Sequence, residues 1–340
     1  MKVVELSRTP AGAFAGLVLA SLGEEVRRFD LGSLRAGPRP GEDARDEAER
    51  CFLMQGRQSE SLKLPQERAR LLEAVAVSDV VVEDLGPGRA SNLGLSWRAA
   101  QEANPRIVVV SLSPYGASGP HRLWHASERT MQAAGGVMHA TGWHGEPPTK
   151  LPGNAVQYIL GLQGATAAEA AVYGVQSGNE EGVYIDISAQ ESLLLHWSRH
   201  VSQYAHSGTL MRRPLPDAHG PNWPLTNEAS DGWLYMLALR RSWEEVSEFL
   251  GLGDLVNEET RDPTRRAEKI PQMIPRFRDT VRSRSKYDWF GRAAARGYTY
   301  APIETPAEVL ESPQMAARGF FESADLDGEE VKVPGLPFDW

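Results

Sequence analysis

The sequence predicts a doubly wound α/β domain followed by a smaller α+β domain. Three observations carry this. Apolar runs of strand length recur at Val3–Leu6, at 78–83 (SDVVVE) and at 106–111 (RIVVVS). Each leads into a short glycine turn: Thr9-Pro10-Ala11-Gly12, Leu85-Gly86-Pro87-Gly88, and 115–120 (YGASGP). Helical stretches lie between them. Near-continuous Val/Ile runs mark strands buried on both faces of a parallel sheet, and strand–helix alternation defines the class.

The elements follow in order. Val3–Leu6, the apolar helix ending at Leu22 and Gly23, and a second strand at Glu25–Asp30 make a βαβ opening. Residues 31–50, rich in Gly, Pro and charge, read as an exposed loop. A helix at Gln66–Val77 feeds the strand Ser78–Glu83. Another at Trp97–Ala103 ends at Asn104-Pro105, because proline disfavours helical backbone before it. The strand Arg106–Ser111 follows. Leu160–Val175 is an Ala/Gly-rich helix whose small side chains permit close packing. Val183–Ile187 is a strand, and Gln190–His206 a helix carrying Trp197. These elements make a large domain over 1–207, with a linker at 208–225.

The small domain, 226–325, contains a strand at Gly232–Leu239 and helices at Ser242–Leu250, Ile270–Arg282 and Lys286–Arg296. Trp197, Trp223, Trp233, Trp243 and Trp289 read as core or interface anchors, with an apolar acyl pocket as the alternative. Residues 326–340 begin a segment returning toward the large domain.

Composition narrows the function. The 340 residues suit two domains. A net charge of −9 argues against a nucleic-acid binder, which normally shows a basic stripe. No run nears the roughly 18 apolar residues of a membrane helix. The single cysteine, Cys51, excludes an internal disulfide and makes a thiolate metal site a poor fit. No metal is expected. The N-terminus lacks a signal-peptide core, so the cytoplasm is the default compartment. The first turn has one glycine rather than G-x-G-x-x-G, which gives a nicotinamide cofactor little support. Arg240-Arg241 reads as a solvated pair.

Six blocks, in order, resemble class III coenzyme A transferases, the family of formyl-CoA transferase, carnitine CoA-transferase and alpha-methylacyl-CoA racemase. They are VVELSRTPAGAFAGLVLASLGEEVRRFD, SDVVVEDLGPGRASNLGL, NPRIVVVSLSPYGASGP, GVYIDIS, SDGWLYMLAL with Trp243, and TPAEVLESPQMAARGFF, which VKVPGLPF follows. The resemblance implies a Rossmann-like large domain and an interlocked dimer. It also implies acyl-CoA chemistry through an aspartate nucleophile, whose carboxylate attacks the thioester and forms a mixed anhydride.

That aspartate is the main departure. Aligning Gly161 with the family glycine in PPTKLPGNAVQYILGLQGA puts Gln157 at its position, and no acid occurs between Glu146 and Glu169. An amide offers no anionic oxygen to attack with. An acid reaching in from elsewhere in the chain is the alternative. The family's Gly-His-Asp stretch corresponds to Ala126-Ser127-Glu128, which removes the histidine of the racemase acid/base pair.

The resemblance places CoA against Thr9, Ala11, Gly12, Arg45, Arg57, Gln58, Leu85, Gly86, Pro87, Gly88 and Arg89. Later basic residues of that cradle are lost: Ser59 and Glu60 follow Gln58, and Asn92 replaces an arginine. The glycines among these residues are equally explained by turn geometry alone.

Three functions fit. One is an active acyl-CoA transferase or racemase using a non-standard residue. Another is a non-catalytic subunit in a heterodimer with a catalytic homologue, against a homodimer. The third is a pseudoenzyme that binds CoA esters for regulation. Losses at both the nucleophile and the nucleotide clamp favour the second. The chain also stops short of the family's usual tail, which suggests a partner chain in its place.

Overall fold

The structure, a computed structural model, describes residues 1–31, 44–64, 66–178, 181–213, 222–238, 240–326 and 328–338, with 44–47 and 326 described by backbone alone. The chain divides into two compact units, 1–213 with 322–340, and 214–321.

Among the described residues, six strands form the main sheet of the first unit: β1 (Lys2–Leu6), β2 (Glu25–Asp30), β3 (Gln58–Ser61), β4 (Val80–Glu83), β5 (Val108–Ser113) and β6 (Val183–Ser188). They form one parallel sheet in the order β3-β2-β1-β4-β5-β6. The doubly wound expectation is borne out. Strand order reverses between β1 and β4, and ligands of such sheets bind outside the strand ends at that switch point.

Alternation along the strands supplies two cores. Val3, Val80, Val82, Val108 and Val110 face one side, where they meet helices α1 (Pro10–Ser21) and, later in the chain, Ala155–Gln176. Val4, Leu6, Val81 and Val109 face the other. The elements after α1 are α2 (Ala44–Met54), α3 (Arg68–Ala76), α4 (Arg89–Asn92), α5 (Trp97–Ala103), α6 (Glu128–Ala134), α7 (Val137–Ala140), α8 (Ala155–Gln176), α9 (Ala189–His196) and α10 (Ser198–Ser207).

Helices α1 and α8 pack backbone to backbone. A Cβ on Gly161 would lie 2.4 Å from the Ala11 carbonyl oxygen, so any larger residue forces them apart. This closeness is what the Ala/Gly-rich sequence of α8 foretold.

Some expected bounds shift. Residues 44–50 begin α2 rather than extending the loop. The helix expected over Gln190–His206 is two, because Trp197 leaves helical backbone to end α9 and start α10. Segment 56–62 contains the edge strand β3, which its polar residues did not suggest.

The second unit holds an antiparallel sheet of β7 (Thr226–Ala229), β8 (Gly232–Leu237) and β9 (Thr299–Ile303). Helices α11 (Trp243–Phe249), α12 (Glu258–Arg261), α13 (Pro263–Arg282) and α14 (Lys286–Ala294) accompany it. Their shared core contains Trp223, Trp243, Phe249, Phe277 and Trp289. Trp223 stacks on Phe277 at 4.7 Å between centroids. Trp233, by contrast, is 52% exposed. Helix α13 starts two turns earlier than expected, despite Pro271 and Pro275 within it. Short helices α15 (Pro306–Leu310) and α16 (Pro313–Ala317) precede the hairpin β10 (Phe321–Leu326) and β11 (Glu329–Pro334).

Candidate functional site

The switch point puts the end of β1, the start of α1 and the end of β4 together. Thr9 caps α1, its hydroxyl accepting from Ala11 N. In dinucleotide-binding sheets an anionic phosphate takes the free N–H groups of such a helix start. Here Asp84 takes them. Its Oδ2 accepts from Thr9 N at 2.9 Å, the Thr9 hydroxyl at 2.6 Å and Gly12 N at 3.1 Å, and its Oδ1 accepts from Arg8 N at 2.5 Å. Burial outweighs these bonds and pushes the carboxyl up to about 6. Gly12 is required there, since a Cβ would sit 2.6 Å from Asp84 Oδ2.

Arg57 reaches inward. Its Nη1 donates to Glu5 Oε2 at 3.0 Å and to the Ala13 carbonyl at 2.5 Å, and its side chain is 1% exposed. Arg28 joins the same Glu5 at 3.4 Å. Burial drives the Glu5 carboxyl up, and the two guanidiniums pull it back. Gln58 begins β3, where Glu60 pairs with Arg27 and Arg70. Arg45 lies on α2, with its side chain outside the described residues.

The turn Leu85-Gly86-Pro87-Gly88 follows β4. Gly86 and Gly88 take left-handed φ of 89° and 75°, which suits glycine. Arg89, next in line, is exposed; its backbone N–H donates to the Gly86 carbonyl at 3.1 Å, and its side chain makes no hydrogen bond or ion pair among the described residues. Behind this turn sits Glu83. Its Oε2 accepts from Leu85 N at 2.8 Å, and its carboxyl bonds the Ser111 hydroxyl. Burial raises it from 4.5 to about 7.

The other focus is the start of α8, where Gln157 lies in the first turn. Two acids from distant sequence arrive there. Glu128, from α6, accepts from Val156 N at 2.9 Å, from Gln157 N at 3.3 Å and from the Gln132 amide at 2.7 Å. Glu49, from α2, accepts from the Asn154 amide at 2.8 Å and from the Tyr158 hydroxyl. Gln132 is fully buried and also receives Leu151 N at 2.7 Å.

The structure therefore brings Glu128 to Gln157, as two of the expected catalytic positions. Ser127 caps α6 instead, in a reciprocal box with Thr130. Sequence reasoning missed Asp84, Glu49 and Gln132. The acid pair Glu83-Asp84, ending an otherwise apolar strand, was the available signal for the first. Glu49 and Gln132 meet α8 only through tertiary packing. Among the described residues no cluster of His, Cys, Asp and Glu could hold a metal ion. None of the described helices is long and apolar enough to cross a membrane.

A parallel sheet with turns at its switch point, and a second unit inserted late, defines a doubly wound α/β chain. The profile of CoA-transferase family III matches residues 1–340, and the chain belongs to that family. It is 25% identical over 340 residues to a formyl-CoA:oxalate CoA-transferase of Streptomyces coelicolor, covering 93% of this chain and 82% of that one. A succinyl-CoA:mesaconate CoA-transferase of Haloarcula hispanica is 26% identical over 356 residues, covering 99% and 88%. A protein named succinyl-CoA–L-malate CoA-transferase alpha subunit, from Chloroflexus aurantiacus, is 24% identical, covering 99% and 81%. In fold, a CAIB/BAIF family protein of Brucella suis superposes with a TM-score of 0.87 at 24% identity, covering 100% of this chain and 91% of that one.

Proposed function

We infer that this chain binds acyl-CoA esters but does not itself form the acyl anhydride, and acts as the non-catalytic half of an interlocked dimer with a homologue that supplies the aspartate. The carrying observation is the first turn of α8. Gln157 stands at the nucleophile position, and the two carboxylates that reach the turn, Glu49 and Glu128, are both engaged in bonds to it. A carboxylate whose lone pairs accept several N–H bonds is a poor nucleophile, because attack must first break them. The CoA cradle is reduced to the turn at Leu85–Gly88 with Arg89, since Arg57 is buried against Glu5. Relatives named for CoA transfer support the ligand class, and one named as an alpha subunit supports a paired assembly.

The same site favours one second reading. Glu128 lies against Gln157, so an active transferase would use it as the acid reaching in from elsewhere. CoA exchange between acyl-CoA and free carboxylates separates the two. The purified chain alone is expected to show none, with no enzyme intermediate that hydroxylamine cleaves. Turnover lost in Glu128→Gln would establish the second reading and remove the first. Gln157→Asp then tests the rest of the pocket: exchange is expected only once the catalytic oxygen is restored.

A further inference from the structure

The main sheet ends in polar residues on a face that is otherwise apolar. Side chains alternate along a strand. Glu83, two residues after Val81, and Ser111, two after Val109, therefore share the face those valines give to the second core. The strands pair in register there: Glu83 stands beside Ser111, and Ser111 beside Asp186. Tyr184 stands beside Val109 on the same face.

Glu83 and Ser111, each 3% exposed, and Tyr184 line a cleft of about 100 Å³. Leu95, Ala100 and Val109 give it an apolar wall. The rings of Trp97 and Tyr184 border it, with centroids 6.1 Å apart and planes at 57°. All of its lining comes from Tyr184 and from 83–117, an unbroken stretch of described residues.

Charge decides the kind of occupant. Leu85 N and the Ser111 hydroxyl fill two of the roughly four acceptor positions of the Glu83 carboxylate. Two further acids bear on it, Asp84 next in the chain and Asp186 on β6. The helices packed over this end of the sheet bring Arg89 on α4, which is exposed, and Arg98 on α5, which pairs with Glu102 at 2.8 Å; neither lines the cleft. A buried acid in a negative field, flanked by aromatic rings, is matched by a cation. An ammonium has three donors, which suit Glu83 and the hydroxyls of Ser111 and Tyr184. A cavity of about 150 Å³ holds benzene, so this one takes an alkyl chain of about three carbons.

We propose that this cleft is a binding site for a small primary ammonium, its charge paired with Glu83 and its short alkyl chain lying against Leu95, Ala100 and Val109. The site shares the glycine turn with the reading above, but it depends neither on CoA binding nor on whether Gln157 is catalytic.

A dependence on pH follows. Burial raises Glu83 to about 7, and the ligand binds its ionised form, so affinity rises with pH through that value. Asp84, raised to about 6, ionises over the same range and adds to the attraction. An alkylammonium, with a pKa near that of lysine at about 10.4, stays charged throughout.

The test uses the full chain labelled with ¹⁵N at the tryptophan indoles, titrated with propylammonium chloride and, separately, with its neutral isostere 1-propanol, against potassium chloride at equal ionic strength. Trp97→Phe identifies the Trp97 resonance by deletion. Propylammonium is expected to move that resonance to saturation, and 1-propanol to bind about tenfold more weakly. Between pH 6 and pH 8 the affinity of the unmodified chain is expected to rise roughly tenfold. Glu83→Gln is expected to weaken propylammonium about tenfold and to flatten that rise. The proposal is overturned if the Trp97 resonance does not move, if potassium chloride or 1-propanol matches propylammonium, or if the affinity of the unmodified chain is the same at pH 6 and pH 8.

Discussion

Two helices of the first unit begin at acids supplied by other elements, and they differ in how those acids are held. At α1 the occupant is Asp84, buried and accepting from four donors. At α8 the occupants are Glu49 and Glu128, both only half-buried. The macrodipole favours an anion at both places. Only at α1 is the anion sealed off from water, and there its charge costs enough to raise the carboxyl to about 6. The first arrangement is architecture, a fixed link between β4 and α1. The second is a surface at which an outside anion would compete with the chain's own carboxylates.

The largest effect should come from removing the sealed acid. Asp84→Ala orphans Arg8 N, Thr9 N, the Thr9 hydroxyl and Gly12 N at once. Buried donors left without acceptors cost about 1–3 kcal/mol each, and partial entry of water lowers the total. A loss of about 3 kcal/mol is expected in urea unfolding. A loss below about 1 kcal/mol would mean that these donors find water, and the contrast with α8 would disappear.

Next comes the neighbour of that acid. Glu83 is raised from 4.5 to about 7 by burial. The folded chain therefore holds this proton up to about pH 7, while the unfolded chain releases it near its ordinary value. The folded state binds more protons between those limits, so stability falls as pH rises through the window. One pKa unit is about 1.4 kcal/mol, so a rise from 4.5 to about 7 corresponds to roughly 3–4 kcal/mol. Glu83→Gln keeps the shape and removes the titration. The variant should lose most of this share of the stability difference between pH 5 and pH 7.5. Equal pH slopes in the two proteins would show that Glu83 is charged in the fold at little cost.

Sequence reasoning reached the two helix starts unequally. The sheet was legible because strands buried on both faces are built on runs of Val, Ile or Leu, and 80–82 and 107–110 are such runs. Gly12 and Thr9 were legible as a turn because their backbone needs are local. Asp84 as the occupant of that turn was not, since its bonds span some 75 residues of chain. At α8, position 157 was found by its distance from Gly161 and Glu128 by its place in the block after the glycine turn. That one would lie against the other depended on packing α6 beside α8. Glu49 falls at the end of a stretch read as loop, where no periodicity marked its helix. The family resemblance put Arg57 in a ligand cradle, and sequence does not show the direction in which its side chain turns, here toward Glu5. Its partner Glu5 sits inside an apolar strand, a buried acid that already asked for a cation.

The smallest effect belongs to the exposed helix start. Glu128→Ala removes acceptors from Val156 N, Gln157 N and the Gln132 amide. The first turn of α8 can take water in exchange, so the cost should be that of an ordinary helix cap, about 1 kcal/mol. Glu49 remains to hold Asn154 and Tyr158, which limits fraying. The variant also vacates the anion position beside Gln157. If the start of α8 is the displaceable one of the pair, the melting temperature of Glu128→Ala should rise on adding acetate more than that of the parent protein, because an added anion stabilises whichever form has room for it. Asp84→Ala, with its cavity sealed, should respond no more than the parent does. An equal acetate response in all three proteins would remove the distinction between a sealed and an open helix start.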